Sequence, residues 1–333
     1  MLSEIKPISD ENRVILSNVL PLATPFTIYV FPTNYCNFKC SYCGQSLGYK
    51  KMKEEYDFEP EQMSLATFKT VVDQMKEFPE RFKVLSLTGH GEPLMNPQLP
   101  EMIAYAKENN IAERIEFITN ASLLTPKRSD RLIAAGLDCL RISMQGLSAA
   151  KYAHICRYQI NFDHLMENIS YFFNNKQQCK LYVKIMDVAL EAGEENKFYE
   201  LFGHISDRMF IEQCRPVYSG VEMTRDIETT ADRYGHEHPP RMVCPLCFYM
   251  MGVLPNGDVK PCDAIYKPVI LGNIYHQKLL AMWQGKELRE FRTRQLLKKR
   301  CENKSCGVCC APDDVSHPED ALDEQATRIL ERL

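Results

Sequence analysis

No apolar run in this 333-residue chain is long enough to span a bilayer, and Met1 to Asn12 is polar and acidic rather than signal-like. Basic runs are equally scarce. Lys298-Lys299-Arg300 is the strongest, against a net charge of −4, and it reads as a solvated helix end rather than a nucleic-acid patch. No internal repeat or low-complexity tract is visible. These absences argue against membrane insertion and nucleic-acid binding. With 45% hydrophobic and 25% charged residues, the chain can build an ordinary globular core, and the expected location is the cytoplasm.

Cysteine is the residue that is not scarce. Ten of the 14 fall into two groups, 36–43 and 244–310. In a chain without a signal peptide, that clustering favours metal ligation over disulfides. Cys139, Cys156, Cys179 and Cys214 are scattered and read by default as buried thiols.

The first group, Cys36-Asn37-Phe38-Lys39-Cys40-Ser41-Tyr42-Cys43, follows a strand-like run (Phe26–Phe31) and a turn at Pro32-Thr33-Asn34. Three thiolates on a short loop can hold three irons of a 4Fe–4S cube and leave the fourth open to a small molecule. A zinc loop is the alternative, although zinc usually wants a fourth Cys or His close by, and His90 lies far along the chain. Three buried core cysteines are the plainest reading.

Downstream, strand-like and helix-like stretches alternate. The strands are Lys83–Thr88, Arg114–Thr119, Cys139–Met144, Leu181–Val188 and Arg208–Cys214. Helical patterns lie near Ser64–Phe78, Pro97–Asn109, Pro126–Ala135, Phe162–Asn174 and Glu194–Ile205, with Ser64 and Thr125 as N-caps. Such alternation implies parallel strands with right-handed crossovers, in an open barrel or a doubly wound sheet. Period-two alternation puts Arg141, Ser143 and Gln145 on one strand face, and Lys184 and Met186 on one face of the next strand.

The pattern Cys36-x3-Cys40-x-Tyr42-Cys43 resembles the signature of the radical S-adenosylmethionine (radical SAM) superfamily. The resemblance implies an α/β fold, a partial (β/α)6 TIM-like barrel, whose cluster binds SAM at its open iron and cleaves it to a 5′-deoxyadenosyl radical that abstracts hydrogen. Thr88-Gly89-His90-Gly91-Glu92-Pro93 is similar to the family's Gly-Gly-Glu-Pro motif, which assigns Gly91 and Glu92 to the SAM amino group. Asn120 stands where Thr-Asn-Gly is common, with Ala121 in place of the glycine. Arg141-Ile142-Ser143-Met144-Gln145-Gly146 resembles the Arg-Ile-Ser-x-Asp-Gly stretch beside the SAM ribose, so Ser143 and Gln145 join the set with Tyr42. Lys184 is a candidate partner for the SAM carboxylate.

In the second group, Pro255-Asn256-Gly257-Asp258 is a hairpin-turn signal that brings Cys244 and Cys262 together, and Cys306-x2-Cys309 suits two ligands on one loop. Spacing alone also describes a zinc ribbon. Together with Leu271-Gly272-Asn273-Ile274 and Met282-Trp283, the pattern resembles the SPASM or shorter twitch extension, which carries auxiliary 4Fe–4S clusters. That resemblance implies one auxiliary cluster on Cys244, Cys262, Cys306 and Cys309. Cys247 is an alternative to Cys244, and Cys301 or Cys310 are further thiols for a second cluster.

The expected organisation is a loosely packed lead-in (1–24), a radical SAM core (25–215), a linker or active-site loop (216–240), a cysteine-rich SPASM/twitch domain (241–315) and a short polar helical tail (316–333). The expected activity is two-electron oxidation of a small polar molecule such as an aminocyclitol or sugar, fed by a reduced flavodoxin- or ferredoxin-type donor. A peptide- or protein-modifying maturase is the alternative substrate class, and Phe26 leaves no room before it for the leader-binding module many of those enzymes add. A radical epimerase would need a thiol hydrogen donor, for which Cys156, Cys247 and Cys310 are the candidates. A non-catalytic zinc or iron–sulfur regulator is the reading from outside enzymology.

Overall fold

The alternating runs pair in the order in which the chain lays them down. In a computed structural model, residues 3–7, 13–224, 227, 231–314 and 317–333 are described. Parts of the expected lead-in (1–2 and 8–12), linker (225–226 and 228–230) and tail boundary (315–316) lie outside the described residues. Strands β1 (Glu4–Ile5), β2 (Thr27–Val30), β3 (Phe82–Ser86), β4 (Ala112–Thr119), β5 (Cys139–Met144), β6 (Lys180–Met186), β7 (Arg208–Glu212), β8 (Met250–Val253), β9 (Asp258–Lys260) and β10 (Gly272–Asn273) make one 10-stranded sheet. Its order is β1-β7-β6-β5-β4-β3-β2-β8-β9-β10. From β2 to β7 each strand is parallel to the next, and no pairing among the described residues joins β7 back to β2. The result is the open, partial barrel of parallel strands expected from the sequence.

The crossovers carry helices α1 (Gly48–Tyr56), α2 (Leu65–Met75), α3 (Leu99–Glu108), α4 (Pro126–Ala134), α5 (Ala149–Cys156), α6 (Phe162–Asn175) and α7 (Glu195–Phe202), and α8 (Lys286–Leu296) follows the last strand. The Ser64 and Thr125 side chains accept from the backbone N–H of Thr67 and Arg128, satisfying donors that have no partner inside their helices. Two helices have no counterpart among the sequence patterns. α1 is highly charged and starts at a glycine without a side-chain cap, and α5 is short, although its Ser148 N-cap is an ordinary signal.

The cysteine-rich region is not a separate layer. β8 pairs in parallel with the free edge of β2, from Thr27↔Met250 to Val30↔Val253, and β9 returns antiparallel beside it. Gly257 makes the turn at φ +90°, a conformation that other residues adopt only with strain.

Two expectations about the ends need correction. The lead-in is not loose: Leu16 and Leu20 are buried, and the Trp283 indole N–H donates to Leu22 O at 2.9 Å. The tail is less polar than its composition suggests, because Leu322, Ala326 and Ile329 are buried. Arg13 pairs with Asp320, bringing the two regions together.

Gln74 ties the barrel to the C-terminal region. Its amide donates to Ile274 O at 2.8 Å and accepts from Leu279 N–H at 2.9 Å, both in the interior. Gln74→Leu strands both backbone groups and is expected to cost about 2–4 kcal/mol, read as a lower denaturant midpoint at unchanged slope.

Candidate functional site

The C-terminal ends of β2, β3 and β4 interlock through backbone and side-chain hydrogen bonds. The cysteine loop leaves β2, and the β3 loop packs beneath it: Glu92 N–H donates to Tyr35 O at 2.8 Å, and Gln45 Nε2 donates to His90 O at 2.6 Å. Gly91 is pressed so closely that a Cβ there would lie 2.3 Å from Tyr35 O. Glu92 is buried with both carboxylate oxygens engaged. Oε1 accepts from Leu94 N–H (3.0 Å) and the Thr119 hydroxyl (2.7 Å), while Oε2 accepts from Asn120 N–H (2.7 Å). Burial pushes its carboxyl up, and these donors pull it back towards ionisation. Asn120 donates to Asn37 Oδ1 at 3.0 Å, which ties the end of β4 to the cysteine loop. Ala121 has φ +59°, a left-handed conformation that costs a non-glycine residue about 1–2 kcal/mol, so a glycine there would relieve strain.

Sequence reasoning thus named Gly91, Glu92 and Asn120, and the fold gathers them around Cys36, Cys40 and Cys43. Ser143 and Gln145 stand together at the end of β5, with Gln145 Nε2 donating to Ser143 O and Oγ at 3.0 and 3.2 Å. The Lys184 ammonium is 2.6 Å from Glu212 Oε2, held in an ion pair within the sheet interior.

The three loop thiols are free, and among the described residues no three His, Cys, Asp or Glu side chains converge on one ion. Three thiols on one short loop suit a cluster, which gives each thiolate its own iron, better than a single tetrahedral zinc. Burial pushes the Cys36 and Cys43 thiols up, Cys43 to about 11, and the hydrogen bond to Cys156, with burial, raises Cys40, so the surroundings alone do not make thiolates here and a strongly cationic centre would. Gln145 Oε1 and Tyr42 Oη are buried without a hydrogen-bond partner. The Gly91 cradle, the orphaned polar atoms and the sulfur donor set therefore fit a SAM-binding cluster.

The second cysteine group surrounds one cavity. Cys244, Cys247, Cys262, Cys306 and Cys309 all line it, together with Arg300 and Tyr266. Burial pushes Cys262 and Cys306 up to about 12 and Cys309 to about 11. The Arg300 guanidinium donates to Cys306 O at 2.7 Å and Cys309 O at 3.1 Å, which fixes the loop between those two thiols. Gln295 holds the other side, accepting from Cys244 N–H at 3.3 Å. This donor set also fits a cluster, with one thiol more than four irons require.

Between the two sites lies a cleft whose largely apolar walls (Phe31, Val217, Ile265) carry a few polar groups. Tyr29, Thr88 and His90 line it from the barrel side, Tyr218 and Arg233 from the intervening segment, and Asp263, Tyr266, Cys309 and Asp314 from the cysteine-rich side. Arg233 is clamped by Asp314, Nε to Oδ1 at 3.0 Å. Asp263 forms no ion pair among the described residues; burial pushes its carboxyl up, while Lys260, Arg233 and its own backbone N–H pull it back. Sequence reasoning named Cys309 and quoted Thr88 and His90, but it missed the other cleft residues. Asp263 alone carried a signal, adjacency to Cys262, whereas the others come from segments too far apart to be associated by spacing. Cys156, Cys247 and Cys310 are not among the residues lining the cleft.

A family model described as the radical SAM superfamily matches residues 30–189, and a second, SPASM, described as an iron–sulfur cluster-binding domain, matches residues 244–310. The chain is similar to an AdoMet-dependent heme synthase of Nitratidesulfovibrio vulgaris, 23% identical over 84% of this chain and 85% of that protein. Among solved structures it is similar to BtrN in complex with AdoMet and 2-DOIA, at a TM-score of 0.56 and 19% identity, over 85% of this chain and 92% of that one. It is also similar to Streptococcus suis SuiB bound to S-adenosylmethionine, at a TM-score of 0.66 and 16% identity, over 90% and 73%. At these identities the structural likenesses establish the fold.

Gly91→Ala places a methyl group against Tyr35 O, so the β3 loop and the cysteine loop must separate. SAM affinity, measured by equilibrium dialysis on reconstituted protein, is expected to fall at least tenfold, roughly 1.4 kcal/mol.

Proposed function

Because the chain belongs to the radical SAM superfamily and carries a C-terminal SPASM iron–sulfur domain, we propose that this radical SAM enzyme catalyses two-electron oxidation of a small polar substrate such as an aminocyclitol or sugar. The observation that carries this reading is the cleft lined both by the β3 loop (Thr88 to His90) and by Cys309 and Asp263 of the second cysteine group, with Arg233 and Asp314 set among apolar walls. In this reading 25–215 is the core and 241–315 the auxiliary domain. Cys36, Cys40 and Cys43 hold the SAM-binding 4Fe–4S cluster, and Cys244, Cys262, Cys306 and Cys309 hold a single auxiliary one. The clusters with SAM supply hydrogen-atom abstraction at a substrate C–H and an acceptor for the second electron.

The chain's own residues bind, seclude and deprotonate. A C–H next to a hydroxyl or amine becomes a carbonyl or imine carbon once a hydrogen atom, a proton and an electron have left. The proton needs an acceptor at the heteroatom, and the Asp263 carboxylate is in the cleft with no competing ion pair. Arg233 and Asp314 supply fixed donors and acceptors for polar substituents, while Tyr29, Tyr218 and Tyr266 narrow the cleft and exclude water. Cys156, Cys247 and Cys310, the thiols an epimerase would call upon, do not line the cleft, which supports oxidation over hydrogen return. Reduced flavodoxin or ferredoxin is the proposed electron source.

Turnover in deuterated water separates the two chemistries. A product lighter by two hydrogens is the expected result, and carbon-bound deuterium in an unoxidised product would reject the oxidation. Asp263→Asn is expected to lower substrate oxidation about 10²-fold while 5′-deoxyadenosine still forms; oxidation at the wild-type rate would remove Asp263 as the base. Replacing Cys36, Cys40 and Cys43 together by Ala should abolish SAM cleavage and leave the iron of one cluster. Iron at background in that variant would contradict two independent sites.

A further inference from the structure

The cysteine loop rests on the C-terminal end of α5. Lys39 N–H donates to Cys156 O and Ser41 N–H to Ile155 O, both at 2.9 Å, so the loop backbone is bonded to the last turn of that helix on either side of Cys40. The docking leaves Cys156 Sγ 3.8 Å from Cys40 Sγ. Cys156 is fully buried, and Phe38 closes the region by packing on Tyr152 and Tyr158 at ring distances of 5.9 and 4.9 Å. The nearby Tyr152 hydroxyl is already engaged, accepting from Gln145 N–H at 3.2 Å and donating to Met144 Sδ at 3.7 Å.

In the bare chain the Cys40 thiol donates to Cys156 Sγ. An iron-bound Cys40 is a thiolate with no proton, so the donor in the loaded enzyme has to be Cys156. We propose that Cys156 is a positioning residue for the SAM-binding cluster: its S–H donates to the Cys40 sulfur, draws charge from that ligand and raises the cluster's reduction potential. Hydrogen bonds to ligand sulfurs are among the determinants of iron–sulfur potentials. The reduced cluster carries one more negative charge than the oxidised one, so a donor aimed at its ligand stabilises the reduced form more. In this dry environment the effect is weakly screened. The inference rests on Cys36, Cys40 and Cys43 being the ligands of that cluster.

The test uses wild type, Cys156→Ala, Cys156→Ser and Cys156→Val, reconstituted anaerobically. Iron is counted, and each protein is titrated under electron paramagnetic resonance with and without SAM to pick out the SAM-sensitive signal. With iron content equal, Cys156→Ala is expected to show a three- to tenfold lower ratio of reduced to oxidised SAM-sensitive cluster at a fixed poise, where tenfold corresponds to about 59 mV for one electron. Cys156→Ser, which keeps a donor, should return most of that ratio. Should the Ala variant lose iron, the near-isosteric Cys156→Val provides the donor-free comparison with Ser. An unchanged ratio in the donor-free variants overturns the proposal, as does a Ser variant shifted as far as Ala. Loss of the SAM-sensitive cluster from all three variants would make Cys156 a ligand and also overturn it. A wild-type protein without any SAM-sensitive signal would instead count against the underlying ligand assignment.

Discussion

The pairing of β8 with β2 is the constraint on which the site depends. One edge of β2 carries β3 and, through it, the whole parallel sheet, while the other carries the hairpin of the cysteine-rich region. The Cys36–Cys43 loop leaves the end of β2, and Cys262 follows β9 on the far side of the hairpin. The spacing between the two cysteine groups is therefore set by backbone hydrogen bonds across four residues of strand, Thr27 to Val30, rather than by an interdomain linker. An electron or a substrate shared between them meets a fixed separation, which is the preorganisation that chemistry on a short-lived species needs.

Charge supplies a second fastening. Arg141 pairs with Glu116 at 3.1 Å and Lys184 with Glu212 at 2.6 Å, and Arg233 then reaches both Glu212 (3.7 Å) and Asp314. Alternating signs run from β4 across the interior to the C-terminal region. Each member is largely withdrawn from water, so the arrangement adds little net stability over an apolar core, but loss of one member would leave its partner's charge uncompensated. Its value lies in placing Arg233 and Asp314 at the cleft.

How much of this was legible follows from how far the information was spread along the chain. The cysteine loop, the Gly-His-Gly-Glu stretch and the hairpin each lie within a few residues, so local spacing, read with the resemblance to the radical SAM family, marked them. Strand alternation put Lys184 on the correct face, but it could not reveal that Glu212, a residue of the next strand, would take its ammonium. The cleft was illegible because Tyr29, Tyr218, Arg233 and Asp314 meet only after the sheet has formed. The tail misled through composition: its charges outnumber Leu322, Ala326 and Ile329, yet those three are buried.

The same β2 edge has a consequence in time. A ribosome finishes β2 at Val30 and does not begin β8 until Met250, so the barrel's first strand stands with an open row of amide and carbonyl groups while roughly 220 residues are made. At ordinary elongation speeds that interval is about 10–45 s. An unpaired edge of that kind is a template for strands from other chains. The nascent protein is thus most exposed to aggregation before its own hairpin emerges, and slow translation of the segment between β7 and β8 would prolong that exposure without altering a single residue of the finished enzyme.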